Sequence, residues 1–392
     1  MLDFSKIALI TTGGTIAGVA KETTSTRYSP AVLNGETLLQ TLFENLPFFE
    51  NLSFENPQNN GQILPKLFEF GSFDSANVDD EILLSLAHFV ENVLKNEAQG
   101  DAVDGIVITN GTDSLEESAL FLELVLNAKK PIVLTGSMRA SNALGSDGAR
   151  NLYNAFLLCA HLVDLQKSTR ATESKLAQIP LSPPMQGVFI TLGDSIFAPL
   201  NLMKFHTLDT NAFEQSGAIG HIVDSRVFFS HTKKPLNQVL RENFTLAHLG
   251  ESLPKVQILY SHQNDYCALL AAFLFTQGVR GIIIAGMGNG SLNNRILSAQ
   301  EKETLAEILP DSTPLCAKKE LRQKEVLEFL HARGLAIVIS SRVPFGAITQ
   351  HNFLSAWNLN PQKARILLML LLHARDSHAL DELHFQEVFC AF

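Results

Sequence analysis

An α/β fold is predicted, with a larger N-terminal domain on a doubly wound, mostly parallel sheet and a smaller C-terminal α/β domain. Three observations predict it. Short runs rich in Val, Ile and Leu end at glycine or a small polar residue, at 7–13, 105–110, 131–136 and 187–192. This is how strands read when a parallel sheet is covered on both faces. Between such runs lie segments with apolar residues three and four apart, at 78–95, 114–128 and 147–163, the spacing of amphipathic helices. Strand alternating with helix implies parallel pairing through right-handed crossovers. A second, smaller series of the same kind begins at 256.

Taken in order, residues 7–18 (IALITTGGTIAG) read as a buried strand, a tight glycine turn and a third threonine, Thr15, at the mouth of a crevice. Open α/β sheets place ligands at the carboxyl ends of their strands. On its own this turn is compatible with a phosphate cradle, a catalytic loop or a plain turn. Residues 20–35 are polar, rich in Thr and Ser, and carry the lone aromatic Tyr28, which reads as a long mobile loop of the lid or binding kind. A strand at 67–70 precedes the helix at 78–95. The polar segment 167–181 reads as an insertion between a helix and the strand at 187–192. The interval 228–255 has few strand signals. Beyond it come strands at 256–261, 281–286 and 336–341 and helices at 266–276, 318–332 and 361–374. The domain boundaries expected from this pattern are 1–228 for the N-terminal domain, 229–255 for a linker and 256–392 for the C-terminal domain.

Composition narrows the function. The chain has 392 residues, 46% hydrophobic and 18% charged, with a formal net charge of -10, which is a folded, enzyme-sized protein without a basic stripe. Nucleic acid is not an expected partner, since such binding draws its affinity from clustered Lys and Arg. Residues 1–6 lack the features of a secretory signal, and the densest apolar run, 366–372, is too short to span a bilayer. A soluble, cytoplasmic protein without a membrane partner is expected. Cys159, Cys267, Cys316 and Cys390 have neither C-x-x-C spacing nor nearby His at ligand spacing, so buried free thiols are expected and no metal site. The glycines of 286–290 (GMGNG) do not make a dinucleotide fingerprint, because the third comes too early and no acidic residue follows at the required distance. No cofactor is implied.

Three groups of residues carry candidate chemistry. In 105–122 (GIVITNGTDSLEESALFL) a strand delivers Thr112 and Asp113 to a helix start, and Glu116 stands three residues after Asp113. That spacing fits a capping box with Asp113 as the cap. Yet Thr112 would then lie at the same sheet edge as Thr15. Lys204 is alone in an apolar stretch, where a lysine either acts as a base of lowered pKa, pairs with a carboxylate such as Asp113, or snorkels to the surface. Asp74 and Ser75 lead into the helix near 78 and read equally as a turn.

Five stretches, 11–18 (TTGGTIAG), 108–119 (ITNGTDSLEESA), 133–151 (VLTGSMRASNALGSDGARN), 340–346 (SSRVPFG) and 359–365 (LNPQKAR), together resemble the bacterial-type L-asparaginase and glutaminase-asparaginase family, in order and over nearly the whole chain. The resemblance implies hydrolysis of asparagine, with glutamine as a second substrate, to the acid and ammonia. It also implies a homo-oligomer, a tetramer built as a dimer of intimate dimers with sites between subunits. Carried over by position, Thr15 would be the nucleophile, with Tyr28 beside it on the loop. Thr112, Asp113 and Lys204 would form a second catalytic group. Asp113 and Thr112 would also bind substrate, Asp113 at its α-amino group and Ser75 at its α-carboxylate, with Asp74 and Ser291 as further substrate-binding positions. Three departures stand out: 343–354 (VPFGAITQHNFL) has no acid where many members supply an inter-subunit glutamate, Ala76 follows Ser75, and Asn110 replaces a histidine before G-T-D. Loss of one charge-assisted contact costs about 1.5 to 3 kcal/mol, or roughly tenfold to a hundredfold in affinity. Two other readings stay open at this level: an amidase on a larger or transfer-RNA-bound amide, and a non-catalytic amino-acid-binding relative.

Overall fold

The computed structural model describes residues 4–44, 64–96, 102–171, 186–213, 217–234, 242–349, 352–377 and 380–392. The chain divides into two compact units, Met1–Leu236 and Asn237–Phe392.

The first unit is built on strands β1 (Ile7–Gly13), β4 (Lys66–Phe73), β5 (Gly105–Thr109), β6 (Pro131–Thr135) and β7 (Gly187–Leu192), with the small hairpin β2 (Val19–Ala20) and β3 (Tyr28–Ser29) following the turn after β1. Three further strands, β8 (Ser195–Phe197), β9 (Ala218–Val223) and β10 (Arg226–Phe229), complete an eight-stranded sheet of order β10-β9-β8-β7-β6-β5-β1-β4. The pairs β4-β1, β1-β5, β5-β6 and β6-β7 are parallel, whereas β7-β8, β8-β9 and β9-β10 are antiparallel. Those last three strands are absent from the sequence expectation, because β8 is very short and β9 interrupts its apolar residues with Gly220 and His221. Helices α1 (Gly35–Glu44), α2 (Asp80–Lys95), α3 (Leu115–Leu126) and α4 (Gly148–Ala171) connect the parallel strands. α4 packs on β5, β6 and β7 and against α1, while α3 packs on β7 and α2. β1, β5, β6 and β7 are buried along their whole length, which is why their sequences are continuous apolar runs. Of the polar segment 167–181, α4 takes residues up to Ala171, and 172–181 lies outside the described residues.

The sheet rim shows why several strands end in a small polar residue and a glycine. Thr12 Oγ1 donates to the Thr109 carbonyl at 2.8 Å, the Asn110 N–H donates to the Thr135 carbonyl at 2.7 Å, and Thr135 Oγ1 donates to the Thr191 carbonyl at 2.8 Å. Carbonyls at the ends of buried strands would otherwise be desolvated without partners. Behind the rim, the buried pair Lys233–Glu123 (2.8 Å) is satisfied on both sides. Lys233 also donates to the Gln186 carbonyl, and Glu123 accepts the Val188 N–H.

The second unit is a four-stranded parallel sheet of order β11 (Val256–Tyr260), β12 (Gly281–Gly286), β13 (Ala336–Ser341) and β14 (Leu354–Ser355). Helices α5 (Cys267–Thr276), α6 (Ala299–Ile308) and α7 (Gln323–His331) bury their apolar residues together, and α8 (Pro361–Asp376) packs on β11, β12 and β13. α7 starts later than the expected 318, since the backbone of Arg322 forms a bridge with Ile296 and only then turns into helix. The expectation of buried thiols holds for Cys159 and Cys267. It fails for Cys390, which is exposed on the last helix, and for the half-buried Cys316.

One buried carboxylate organises the carboxyl edge of this second sheet. Asp265 is 2% exposed and accepts from Ser261 Oγ (2.7 Å), Gln323 Nε2 (2.9 Å) and the N–H groups of Cys267 (3.1 Å) and His262 (3.0 Å). Burial alone would raise its pKa, but these hydrogen bonds outweigh it and hold the carboxyl below 3.8. A carboxylate with a depressed folded pKa stabilises fully above its unfolded pKa, and that contribution is lost as pH falls through the folded value. Unfolding midpoints measured from pH 6 downward are therefore expected to drop below about pH 4 in the wild type. Asp265→Asn is expected to lower stability at pH 7 by about 1.5 to 3 kcal/mol and to flatten this acid limb.

Candidate active site

The parallel order β4-β1-β5 reverses direction at β1, so a crevice opens beyond the carboxyl ends of these three strands. The loops that leave them carry Thr15 after β1, Ser75 after β4 and Thr112 with Asp113 after β5. Two glycines let these loops meet. A Cβ on Gly14, which has φ +77°, would lie 2.6 Å from Gly111 Cα, and a Cβ on Gly111 would lie 2.4 Å from Ser75 Oγ. Any side chain at either position would force the loops apart.

Thr15 opens a single 3-10 turn, Thr15–Ala17, and is 7% exposed. Its Oγ1 lies 2.7 Å from the Tyr28 hydroxyl, and either can donate. Tyr28 is brought there by the β2–β3 hairpin. The segment expected as a long mobile loop thus contains an ordered two-stranded sheet in register Ala20↔Tyr28, and α1 begins at Gly35. The segment beyond Tyr28 is tied back to the turn, as Val32 and Leu33 donate their N–H groups to the Ala17 carbonyl at 2.8 Å.

Across the crevice, Lys204 Nζ donates to Thr112 Oγ1 at 2.9 Å and to Asp113 Oδ1 at 2.5 Å. Thr112 is 5% exposed, the Lys204 side chain 19% and the Asp113 side chain 62%. Of the settings open to Lys204 from sequence, the structure gives it the carboxylate pair. The backbone of Lys204 is held by an antiparallel bridge to Phe213. The capping box expected from Asp113 and Glu116 does not form. The helix N-cap is Ser114, without a side-chain cap bond, because the Asp113 carboxylate turns to Lys204 instead. A charged partner outcompetes the weaker backbone amide bond.

Ser75 is 6% exposed, and its Oγ accepts the Asp113 N–H at 3.4 Å. Asp74 caps the short Ser75–Asn77 turn by accepting the Ala76 N–H at 3.3 Å. Asn110, in the place of the expected histidine, donates to the Gly111 carbonyl at 2.9 Å and so stiffens the turn before Thr112. Ser291 lies in the second unit, where its backbone pairs with Met287. Among the described residues no group of His, Cys, Asp and Glu could hold a metal ion, and no helix is long and apolar enough to cross a membrane.

A cavity of about 610 Å³ joins Thr15, Tyr28, Thr112, Asp113 and Lys204. Its other walls include the threonines of the β2–β3 loop, within the segment expected as a lid or binding loop, and Met138 to Ala140, Leu144 and Leu208, to which sequence reasoning assigns no role. The stretch 133–151 contains the second of these walls and carries the resemblance, but nothing in its composition says which residues face the crevice. The arrangement offers a hydroxyl with a hydroxyl partner on one wall and an ammonium-carboxylate-hydroxyl group on the other. Nucleophilic attack on a small polar carbonyl compound is within its reach.

Comparison with known proteins bears on this directly. The sequence profile described as Asparaginase, N-terminal, matches residues 6–235. L-asparaginase 2 of Bacillus subtilis (strain 168) is 33% identical over 399 residues, covering 98% of this chain and 87% of that protein. The glutaminase-asparaginase of Acinetobacter glutaminasificans is 33% identical over 381 residues, covering 94% and 95%. Among solved structures, the probable cytoplasmic L-asparaginase of Campylobacter jejuni matches with a TM-score of 0.75 and 33% identity, covering 99% of this chain and 100% of that one.

Proposed function

The chain belongs to the asparaginase family, and from that premise we propose that it hydrolyses the side-chain amide of L-asparagine, and of L-glutamine as a second substrate, through a threonine nucleophile and an acyl-enzyme. The observation that carries the finer part is the 2.7 Å contact between Thr15 Oγ1 and the Tyr28 hydroxyl, facing the Lys204–Thr112–Asp113 group across one cavity.

In this reading Thr15 Oγ1 attacks the amide carbon as its proton passes to the Tyr28 oxygen and the Tyr28 proton moves on toward the amide nitrogen, so that Tyr28 relays a proton without holding an extra one. Threonine is a weak nucleophile without such a neighbour. The bond to nitrogen then breaks, and ammonia leaves with a proton relayed from the hydroxyl pair. Lys204, fixed by Asp113, lowers the cost of negative charge at Thr112 and can orient either Thr112 or the water that hydrolyses the ester. Backbone N–H groups at the glycine turn and at the Thr112 helix start are candidates for the oxyanion site. In the same reading the exposed Asp113 carboxylate meets the substrate ammonium, and the buried Ser75 hydroxyl the substrate carboxylate. A cytoplasmic setting, the one given in the description of the Campylobacter jejuni relative as a probable cytoplasmic L-asparaginase, belongs to the same proposal. So does a homotetramer with sites between subunits, which the motif resemblance implies.

The test is ammonia release from L-asparagine and L-glutamine by the wild-type protein, with kcat/KM for each. Measurable turnover of one or both is expected. Calorimetric binding of aspartate without turnover of either amide would overturn the reading.

A further inference from the structure

The β2–β3 hairpin that brings Tyr28 to Thr15 has two residues in each strand, too few to hold itself in place. What holds it is the loop between β6 and α4. Ser141 donates both its N–H (2.9 Å) and its Oγ (2.8 Å) to the Gly18 carbonyl, and the Leu144 N–H donates to the Thr23 carbonyl at 2.7 Å. Between these, the Ala20 N–H donates to Asn142 Oδ1 at 2.8 Å and Asn142 Nδ2 donates to the Ala20 carbonyl at 2.8 Å. A carboxamide carries the same donor and acceptor as a peptide group. Asn142 therefore completes β2 on one edge as a third strand would, while β3 pairs on the other edge. The register Ala20↔Tyr28 makes the residue that Asn142 grips the one directly opposite Tyr28.

The clasp is itself fixed from below. The Asp147 carboxylate accepts the N–H groups of Met138 and Arg139, each at 3.0 Å, and Asn151 Nδ2 at 3.0 Å. Asn151 in turn donates to the Gly136 carbonyl at 2.9 Å and accepts the Gly193 N–H at 2.9 Å. The sheet rim thus anchors the loop at Met138 and Arg139, and the same loop, at Ser141 and Asn142, holds the strand opposite Tyr28.

Resting on the amidohydrolase reading above, we propose that Asn142 is a positioning residue for the reaction: its side chain clasps β2 and so sets the distance between Tyr28 and Thr15. An ionised aspartate at 142 would keep the acceptor for Ala20 N–H but turn a like-charged oxygen toward the Ala20 carbonyl. Alanine would offer neither bond.

The experiment combines exchange and kinetics on the full chain. In the wild type, the Ala20 amide is expected to be protected from hydrogen exchange, and in Asn142→Ala and the near-isosteric Asn142→Asp that protection is expected to fall while the sheet strands keep theirs. Unchanged protection in both variants overturns the clasp, whether or not the protein hydrolyses an amide. For the reaction, Asn142→Ala, which loses both bonds, is expected to lower kcat about tenfold, and Asn142→Asp, which loses the bond to the Ala20 carbonyl, about threefold to tenfold, with KM moving less than about threefold in both. A double-mutant cycle with Tyr28→Phe is expected to be strongly non-additive, because Asn142 acts through the Tyr28 hydroxyl. Additive losses, or full kcat in both Asn142 variants despite lost protection, overturn the positioning role. Absence of turnover in the wild type overturns the amidohydrolase reading instead, and the exchange result still judges the clasp.

Discussion

Thr15→Ala is expected to lower kcat for ammonia release by at least about 10⁴-fold while leaving the fold and substrate affinity nearly unchanged. Loss of a nucleophile from an assembled site typically costs that much or more, and binding groups supply what remains. The structure makes the variant clean. Thr15 is buried in a short turn whose geometry is set by the glycines at 13 and 14, and its Oγ1 contact is to Tyr28. Removing the hydroxyl leaves the Tyr28 hydroxyl, on a side chain 38% exposed, free to bind water, so no buried polar group is orphaned. Steady-state kinetics on asparagine and glutamine, together with aspartate binding by calorimetry, check the prediction. A variant within tenfold of wild-type kcat would remove Thr15 from the role of nucleophile. Thr15→Ser is the companion measurement, since it keeps the hydroxyl and is expected to retain most of the rate.

Lys204→Met is expected to have the second largest effect, a loss in kcat of roughly 10² to 10⁴-fold, the range for a positioned proton-transfer group. Lys204 Nζ is the bridge between Thr112 Oγ1 and Asp113 Oδ1. Methionine keeps the aliphatic stem in a position that is 19% exposed, so packing is conserved while the charge is removed. Asp113→Asn separates the two functions of this group. It is expected to raise KM as well as lower kcat, because the proposed function also gives Asp113 the substrate ammonium. A Lys204→Met enzyme with kcat within about threefold of wild type would show that the charged pair orients nothing in the rate-limiting step. Thermal unfolding of both variants is expected to stay close to wild type, since a pair with one partner this exposed contributes little to stability.

How the two groups came to face each other was only partly legible in the sequence. The apolar runs of β1, β5, β6 and β7 fix strand identity because full burial on both faces leaves no polar alternative. The glycine pair at 13 and 14 and the Gly111-Thr112-Asp113 sequence mark turns at carboxyl ends for equally local reasons. Local reasoning leaves Asp113 with two partners, its own helix start and Lys204. The capping box is a real preference of the sequence, and it loses to Lys204, a residue 91 positions away that spacing alone could not choose over the cap. The hairpin that carries Tyr28 is invisible for a related cause. Its strands have no alternation to detect, and their pairing is completed by the side chain of Asn142, 122 residues distant.

By itself, then, the sequence determined the α/β class, the burial of the parallel strands and the residues at the rim, because periodicity and turn chemistry act over a few neighbours. The tertiary structure decided what residue patterns left open or only the family resemblance suggested: that an ordered hairpin brings Tyr28 to Thr15, that Asp113 serves Lys204 rather than its own helix, and that the sheet extends through three antiparallel strands. These outcomes depend on contacts between distant segments, where a charge pair or a carboxamide clasp overrides local propensity, and chain order carries no record of such a competition.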